Sequence, residues 1–201
     1  MGNTNSTQTS VILLTGLEKS GKSLFLKKLL ELRKKEKEIT QLEPTLGFNY
    51  ITIDYSNQSY HIWELGGDSV SSSYWSTFYR NIATNMVLFI VNIFDEQNHQ
   101  LAMKEFLKLV NEEELKIAKF ILIFNLKIDD KSKRFSFNEQ DYQEVKLKVD
   151  FFLMQIQDSP IHDYDNRVFH FIFDISKLKE GEFNSMRMLN KCFMIKEKEI
   201  S

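Results

Sequence analysis

The chain has 201 residues, of which 42% are hydrophobic and 27% charged, and its formal net charge is −2. This length and composition indicate one globular domain with a substantial core, and the charge excludes the strongly basic field typical of proteins that bind nucleic acid. The single cysteine, Cys192, excludes a disulfide framework and favours a reducing compartment, so we expect a cytoplasmic protein.

The first ten residues are polar, and we expect residues 1–10 to form a flexible tail before a single domain over residues 11–201. The tail begins with a Met-Gly-x-x-x-Ser pattern, which is typical of myristoylation at Gly2. A short polar tail without a lipid is the competing interpretation. One myristoyl chain would give only weak, reversible association with a membrane.

Six short apolar runs predict β-strands, and four stretches of helical periodicity predict helices between and after them. The polar turn at 55–59 joins the second run to the third, so these two are expected to form an antiparallel hairpin. The alternation predicts an α/β fold with a mostly parallel sheet and helices on both faces. The predicted strands cover 11–15, 48–54, 60–65, 86–93, 119–124 and 168–175, and the predicted helices cover 22–37, 98–113, 139–155 and 181–197.

A complete G-x-x-x-x-G-K-[ST] pattern follows the first predicted strand and opens the first predicted helix. This is the arrangement in which backbone N–H groups and a helix N-terminus hold phosphate, the lysine reaches the β- and γ-phosphates, and the serine hydroxyl suits Mg²⁺. A chance Gly-Lys-Ser turn is the competing interpretation. The predicted phosphate-binding residues are Gly16, Leu17, Glu18, Lys19, Ser20, Gly21, Lys22 and Ser23.

Two further segments offer contacts to a γ-phosphate. Thr45 lies just before the predicted hairpin and can offer its hydroxyl to Mg²⁺ and its N–H to phosphate, as a sensor that works only when its loop closes. Gly67 follows the third predicted strand and can present its N–H to the same phosphate, while Glu64 can hold Mg²⁺ through a water molecule. We therefore predict metal contacts at Ser23, Thr45 and Glu64.

These motifs resemble those of the Arf-family small GTPases. Pro-Thr-Leu-Gly-Phe-Asn at 44–49 is similar to the first switch of that family, and Trp-Glu-Leu-Gly-Gly at 63–67 with Tyr-Trp-Ser-Thr-Phe-Tyr-Arg-Asn at 74–81 is similar to the second. The resemblance implies a P-loop small-GTPase fold with six strands, one antiparallel hairpin edge, and GTP or GDP with Mg²⁺ as ligands. Phe48, Trp63 and Phe78 match an aromatic triad that contacts effector proteins, although core packing also explains Trp63 and Phe78.

The resemblance also implies GTPase-activating and exchange factors as partners, and either a peripheral membrane or a cilium-associated location. For the guanine base it implies contacts from Asn125, Lys127, Asp129 and Ser176. The segment from Asn125 to Asp129 is one residue longer than the usual N-K-x-D pattern, so Asp129 can reach the base only if the loop bulges. An ordinary loop at the end of a strand is the competing interpretation of this segment.

Asp68 occupies the position where most relatives place the glutamine that orients the attacking water. A short anionic side chain would repel a triphosphate, so we expect very slow intrinsic hydrolysis around Lys22, Thr45, Gly67 and Asp68. The first hypothesis is a GTP-binding switch with weak GTP hydrolase activity. The second is a pseudo-GTPase or nucleotide-locked interaction module, and a P-loop kinase for a small metabolite is a third and weaker one.

Overall fold

The computed structural model describes residues 8–32, 47–55, 58–68, 72–126, 139–161 and 163–175. Within them, six strands and five α-helices follow one another, with two short 3₁₀ turns that flank the third helix at Glu96–Asn98 and Glu113–Leu115. The elements are β1 (Gln8–Thr15), α1 (Lys22–Leu32), β2 (Phe48–Tyr55), β3 (Gln58–Leu65), α2 (Trp75–Tyr79), β4 (Met86–Asn92), α3 (His99–Val110), β5 (Lys119–Asn125), α4 (Glu139–Gln157), α5 (Tyr164–Arg167) and β6 (Val168–Phe173).

The six strands form one sheet in the order β2-β3-β1-β4-β5-β6. Only β2 and β3 pair antiparallel, and every other neighbouring pair is parallel. The predicted mostly parallel sheet with a hairpin edge is therefore confirmed. Because β1 lies between β3 and β4, its carboxyl end is the point where connections leave to both sides, which is where ligands bind in sheets of this kind.

Helices cover both faces of the sheet, as the sequence predicts. On one face, the side chains of Leu13, Phe89 and Leu122 pack with apolar residues of α3 and α4. On the other face, Ile12 and Ile123 pack with residues of α1. The central strands β4 and β5 are buried on both faces because each strand sends alternate side chains into the two layers.

Element boundaries differ modestly from the predictions. β1 begins at Gln8, so residues 8–10, which were expected in the tail, belong to the strand. Two short helices, α2 and α5, were not predicted because one turn is too short to show helical periodicity. The predicted helix at 181–197 and the end of the first one at 33–37 lie outside the described residues. Among the described residues, no helix is long and apolar enough to cross a membrane.

Arg167 connects the end of α5 to the end of α3 and to the entry of β5. Its buried guanidinium donates to the backbone carbonyls of Leu115 at 2.9 Å, Val110 at 3.2 Å and Ala118 at 3.3 Å. Its charge also lies 5.4 Å from the centre of the Phe120 ring. One side chain thus bonds to carbonyls at the end of α3 and at the entry to β5, and that of Leu115 also accepts from the Ala118 N–H at 2.9 Å.

We expect Arg167→Ala to lower the free energy of unfolding by about 3 kcal/mol, because buried carbonyls that lose their donor cost about 1–3 kcal/mol each. Urea denaturation measures the change. The matched control is Arg80→Ala, which removes an exposed arginine that pairs with Glu114 at 3.5 Å and should cost no more than about 1 kcal/mol. Equal effects of the two substitutions would contradict this role of Arg167.

Candidate functional site

The phosphate-binding loop connects β1 to α1 and turns through backbone conformations that favour glycine. Gly16 and Gly21 have φ of +133° and +108°. A Cβ atom on Gly16 would lie 2.3 Å from the carbonyl oxygen of Ile90, and one on Gly21 would lie 2.4 Å from the side-chain nitrogen of Asn125. The loop therefore packs directly on the ends of β4 and β5, and its last turn opens α1 at Lys22 with a helix N-terminus suited to an anion.

The ammonium of Lys22 lies beneath this loop and is almost fully buried. It donates to the carbonyl of Gly16 at 2.9 Å and to that of Leu17 at 2.8 Å. Burial lowers the pKa of Lys22 to about 8, against the opposing attraction of the Glu64, Glu18 and Asp68 carboxylates. The cation is thus held at the loop by neutral carbonyls, and an anionic ligand would stabilise its charged form.

Gly67 lies against the same lysine. A Cβ atom at Gly67 would lie 2.3 Å from the Lys22 ammonium and 2.5 Å from the Gly16 carbonyl oxygen, so no larger residue fits here without displacing backbone. The carbonyl of Gly67 accepts a hydrogen bond from the N–H of Glu18 at 2.8 Å. The structure therefore brings Gly67 to the phosphate loop as predicted, while donation from its own N–H to a phosphate stays a prediction.

The preceding residue connects this contact to two other segments. The N–H of Gly66 donates to the Gly47 carbonyl at 2.8 Å. The indole N–H of Trp75, in α2, donates to the Gly66 carbonyl at 2.8 Å. No local sequence pattern indicates this role of Trp75, because a tryptophan on a one-turn helix is most simply interpreted as a core residue. Gly66 and Gly67 thus contact three segments: the phosphate-binding loop, the residue before β2, and α2.

Ser23 and Glu64 form the candidate cation site. The Ser23 hydroxyl donates to one oxygen of the buried Glu64 carboxylate at 2.5 Å, and the amide of Asn49 donates to the other at 2.9 Å. A serine hydroxyl that donates its hydrogen keeps two lone pairs for a cation, so the residues present fit Mg²⁺. No cluster of three or more His, Cys, Asp or Glu that could hold a metal ion occurs within the described part of the chain.

Asn125 lies fully buried at the end of β5 and does not face open solvent. Its side-chain nitrogen donates to the Ser20 carbonyl at 2.9 Å, and its side-chain oxygen accepts from the Ile175 N–H at 3.2 Å. The amide thus fastens the phosphate loop to the segment after β6. The predicted contact of Asn125 with a purine stays a prediction, and Thr45, Lys127, Asp129 and Ser176 lie outside the described residues.

Asp68 directly follows Gly67 and is partly buried at the same end of the site. Its carbonyl accepts from the Ser72 N–H at 2.9 Å, which starts the turn toward α2. Its carboxylate is close enough to Lys22 to favour the charged ammonium. A second carboxylate that acts on Lys22 belongs to Glu18, which is half-exposed in the loop and lies 3.9 Å from Lys19. Together with Glu64, these make three carboxylates that act on Lys22.

An aromatic surface lies on the outer side of the β2–β3 hairpin and α2. The ring centres of Phe48 and Trp63 lie 5.3 Å apart, those of Phe48 and Phe78 5.2 Å, and those of Trp63 and Phe78 6.1 Å. Phe48 is 49% exposed, whereas Trp63 and Phe78 also pack partly against the core. Tyr50, which was not predicted, packs against Trp63 with ring centres 4.6 Å apart and planes tilted by 47°, and its hydroxyl is hydrogen-bonded to His61. Tyr50 lies two residues after Phe48 on β2, and this spacing indicates that the two side chains share one face of the strand.

The sequence is similar to those of known proteins from one family. Residues 2–163 match the model of the Arf, or ADP-ribosylation factor, family. ADP-ribosylation factor 1 of Brassica rapa subsp. pekinensis is 36% identical over 118 residues, which are 59% of this chain and 60% of that protein. ADP-ribosylation factor-like protein 1 of Saccharomyces cerevisiae is 33% identical over 114 residues, 57% of this chain and 58% of that protein. The chain thus spans about 60% of the length of the curated relatives it matches.

A solved structure shares the fold. The Arl6 BBS3 small GTPase from Trypanosoma brucei, solved with the bound nucleotide analogue GppNp, superposes with a TM-score of 0.62 and 17% sequence identity. The superposition covers 85% of this chain and 89% of that one. At this identity the likeness shows the fold alone.

The burial of Lys22 makes stability depend on pH. The unfolded chain keeps the lysine proton up to its ordinary pKa of 10.5, whereas the folded chain releases it near pH 8. In a chelating buffer without nucleotide, the unfolding free energy of the wild type should therefore rise relative to Lys22→Met between pH 8 and 10.5, by at most about 3 kcal/mol. Urea denaturation at a series of pH values tests this, and a constant difference between the two proteins would contradict it.

Proposed function

Because the chain belongs to the ADP-ribosylation factor family, we propose that it is a GTP-binding molecular switch. The observation that carries the proposal is the convergence of three segments on Lys22. The loop carbonyls bind its ammonium, Gly67 lies directly against it, and the carboxylate of Glu64 attracts it while accepting from Ser23. A phosphate chain placed on this loop would meet a cation, a glycine backbone and a Mg²⁺-compatible hydroxyl at one end.

In this proposal Ser23 coordinates Mg²⁺ directly, Glu64 holds it through a water molecule, and Thr45 adds its hydroxyl when the first switch closes. Bound Mg²⁺ supplies charge neutralisation to the β- and γ-phosphate oxygens. Thr45 and Gly67 sense the γ-phosphate with their N–H groups, and loss of that phosphate releases both segments. Binding of GTP rather than GDP then changes the conformation of the hairpin and α2.

We propose that the base is guanine. Asn125 positions the phosphate loop through its hydrogen bond to the Ser20 carbonyl. Its amide has a second N–H and a second oxygen lone pair that could bond to the purine. Asp129 accepts from the guanine N1–H and 2-amino groups, and Lys127 and Ser176 complete the base site. A carboxylate placed against these donors would reject adenine, since adenine leaves it without partners.

The aromatic surface of Phe48, Trp63 and Phe78, extended by Tyr50, is the proposed effector-binding surface. The rings of Phe48, Tyr50 and Trp63 are partly exposed on the hairpin that also carries the buried Glu64, and Phe78 adds a partly exposed ring from α2. Exposed aromatic groups beside a nucleotide-dependent segment suit partners that distinguish GTP from GDP. GTPase-activating and exchange factors are the further expected partners.

Within the family, we propose that the chain is most similar to Arf-like protein sixteen. The support is the Glu-Leu-Gly-Gly sequence with Glu64 in place of aspartate, together with the irregular segment from Asn125 to Asp129. Myristoylation at Gly2 would add weak peripheral membrane attachment, and a cytoplasmic protein with a membrane-linked or cilium-linked role in traffic is the corresponding location.

Asp68 supports slow hydrolysis and keeps the nucleotide-locked module as a second candidate function. Its carboxylate adds negative charge beside Lys22, where the γ-phosphate would bind, and it is too short to orient water as glutamine does. In the locked module the same site binds GTP and presents the aromatic surface, but nucleotide exchange rather than hydrolysis ends the bound state.

The proposal predicts tight binding of GTP and GDP with Mg²⁺ and at least about 100-fold weaker binding of ATP. Lys22→Ala should weaken binding of both guanine nucleotides by about 100-fold, because charge-assisted hydrogen bonds to phosphate are lost. The matched control is Lys116→Ala, which removes an exposed lysine that pairs with Glu113 outside the phosphate loop and should leave both affinities unchanged. Equilibrium titration with fluorescent nucleotides measures the affinities of the wild type and of both variants. ATP binding as tight as GTP binding would overturn the guanine assignment.

We expect Asp68→Gln to raise the single-turnover rate of GTP hydrolysis by at least about tenfold, which corresponds to about 1.4 kcal/mol of barrier. Asp68→Asn is the control, because it removes the charge without the length needed to reach the attacking water. If the wild type hydrolyses GTP as fast as the glutamine variant, Asp68 does not limit the reaction. If that shared rate also matches ordinary small GTPases, the nucleotide-locked module is excluded.

A further inference from the structure

Glu64 is a fully buried carboxylate whose two oxygens are bound from different elements. Ser23, at the start of α1, donates to one oxygen at 2.5 Å. Asn49, on β2, donates to the other at 2.9 Å. Burying a carboxylate is costly unless hydrogen bonds replace its water, so each donor offsets part of the cost of burying Glu64.

Because the glutamate side chain is longer than that of aspartate, the donor Asn49 is needed to fix the orientation of its carboxylate. A glutamate has one more torsion angle than an aspartate, and the last torsion of its carboxylate is broad rather than confined to a narrow well. A single hydrogen bond from Ser23 would leave the plane of the carboxylate free to rotate. Two donors on opposite oxygens fix that plane and therefore fix which lone pairs face the candidate cation site.

Strand geometry explains why the donor comes from position 49. In the antiparallel hairpin, Asn49 and Glu64 are direct cross-strand partners, so their side chains lie on the same face of the sheet. The neighbours of Asn49, Phe48 and Tyr50, send their rings to the opposite face, where both contact Trp63. Asn49 is thus the β2 residue that the register aims at the Glu64 carboxylate.

We propose that Asn49 is a positioning residue for Mg²⁺, which orients the Glu64 carboxylate toward the ion bound at Ser23. The inference rests on the proposed binding of Mg·GDP and Mg·GTP. Asn49 does not touch the nucleotide in this assignment, and its effect is confined to the affinity of the cation. Groups that orient a metal-binding side chain typically change metal affinity by about 10- to 100-fold.

The test is a titration of free Mg²⁺ against retention of fluorescent GDP and GTP by wild type and Asn49→Ala. The variant should need about tenfold more Mg²⁺ for half-maximal retention, while its nucleotide affinity in EDTA stays within about twofold of wild type. The Mg²⁺-induced rise in melting temperature of the GDP complex should shrink in parallel. The matched control is Asn111→Ala, which also removes an exposed asparagine amide bonded at 2.9 Å, here to the Leu107 carbonyl.

A second arm separates positioning from general loosening of the hairpin. Aspartate at position 64 is one methylene shorter and is not expected to span Ser23 and Asn49 together. In the Glu64→Asp background, Asn49→Ala should therefore change the Mg²⁺ requirement by no more than about twofold. The same tenfold effect in both backgrounds, or equal loss of affinity with and without Mg²⁺, would overturn the inference.

The outcomes also separate this inference from the proposed function. If wild type retains GDP and GTP in a Mg²⁺-dependent way and Asn49→Ala matches it, the positioning role falls while the switch assignment stands. If wild type retains neither guanine nucleotide at any Mg²⁺ concentration, the proposed function falls and the positioning role falls with it.

Discussion

The buried ammonium of Lys22 is the constraint on which the site depends. A lysine taken out of water needs compensation, and here it comes from two loop carbonyls and from the attraction of nearby carboxylates. The carbonyls can face inward only because Gly16 adopts a positive φ, and Gly67 can approach only because it has no side chain. One buried charge thus constrains the residue types at Gly16 and Gly67, and it places a cation beside the loop where an anion could bind.

Strand β3 connects the surroundings of Lys22 with the aromatic surface. Glu64 on β3 faces inward to Ser23, whereas the preceding residue, Trp63, faces outward to Phe48 and Tyr50. Successive residues of one strand therefore serve the candidate cation site and the aromatic surface. A shift of β2 against β3 that accommodates a phosphate would alter both faces together, because a register change moves every side chain of the strand.

Much of this arrangement can be predicted from the sequence, because the signals are local. The strand, glycine-rich loop and helix around Lys22 are contiguous, the apolar runs mark all six strands, and the polar turn at 55–59 marks the hairpin. The contacts of Asn49, Trp75 and Asn125 could not be predicted, since each depends on strand register or on a tertiary neighbour far away in the chain. For Asn125, the sequence pattern suggests a purine contact, whereas the structure shows the amide bonded to backbone at Ser20 and Ile175.

The central claim is that the terminal phosphate of a guanine nucleotide changes the segment at Gly66 and Gly67. Trp75 reports on it directly, because its indole N–H is bonded to the Gly66 carbonyl at 2.8 Å. The chain has two tryptophans, so the indole N–H resonances of ¹⁵N-labelled protein can be assigned with a Trp63→Phe variant. Saturation with Mg·GDP and then with a non-hydrolysable Mg·GTP analogue should move the Trp75 resonance. Superimposable Trp75 resonances in the two saturated complexes would contradict the account.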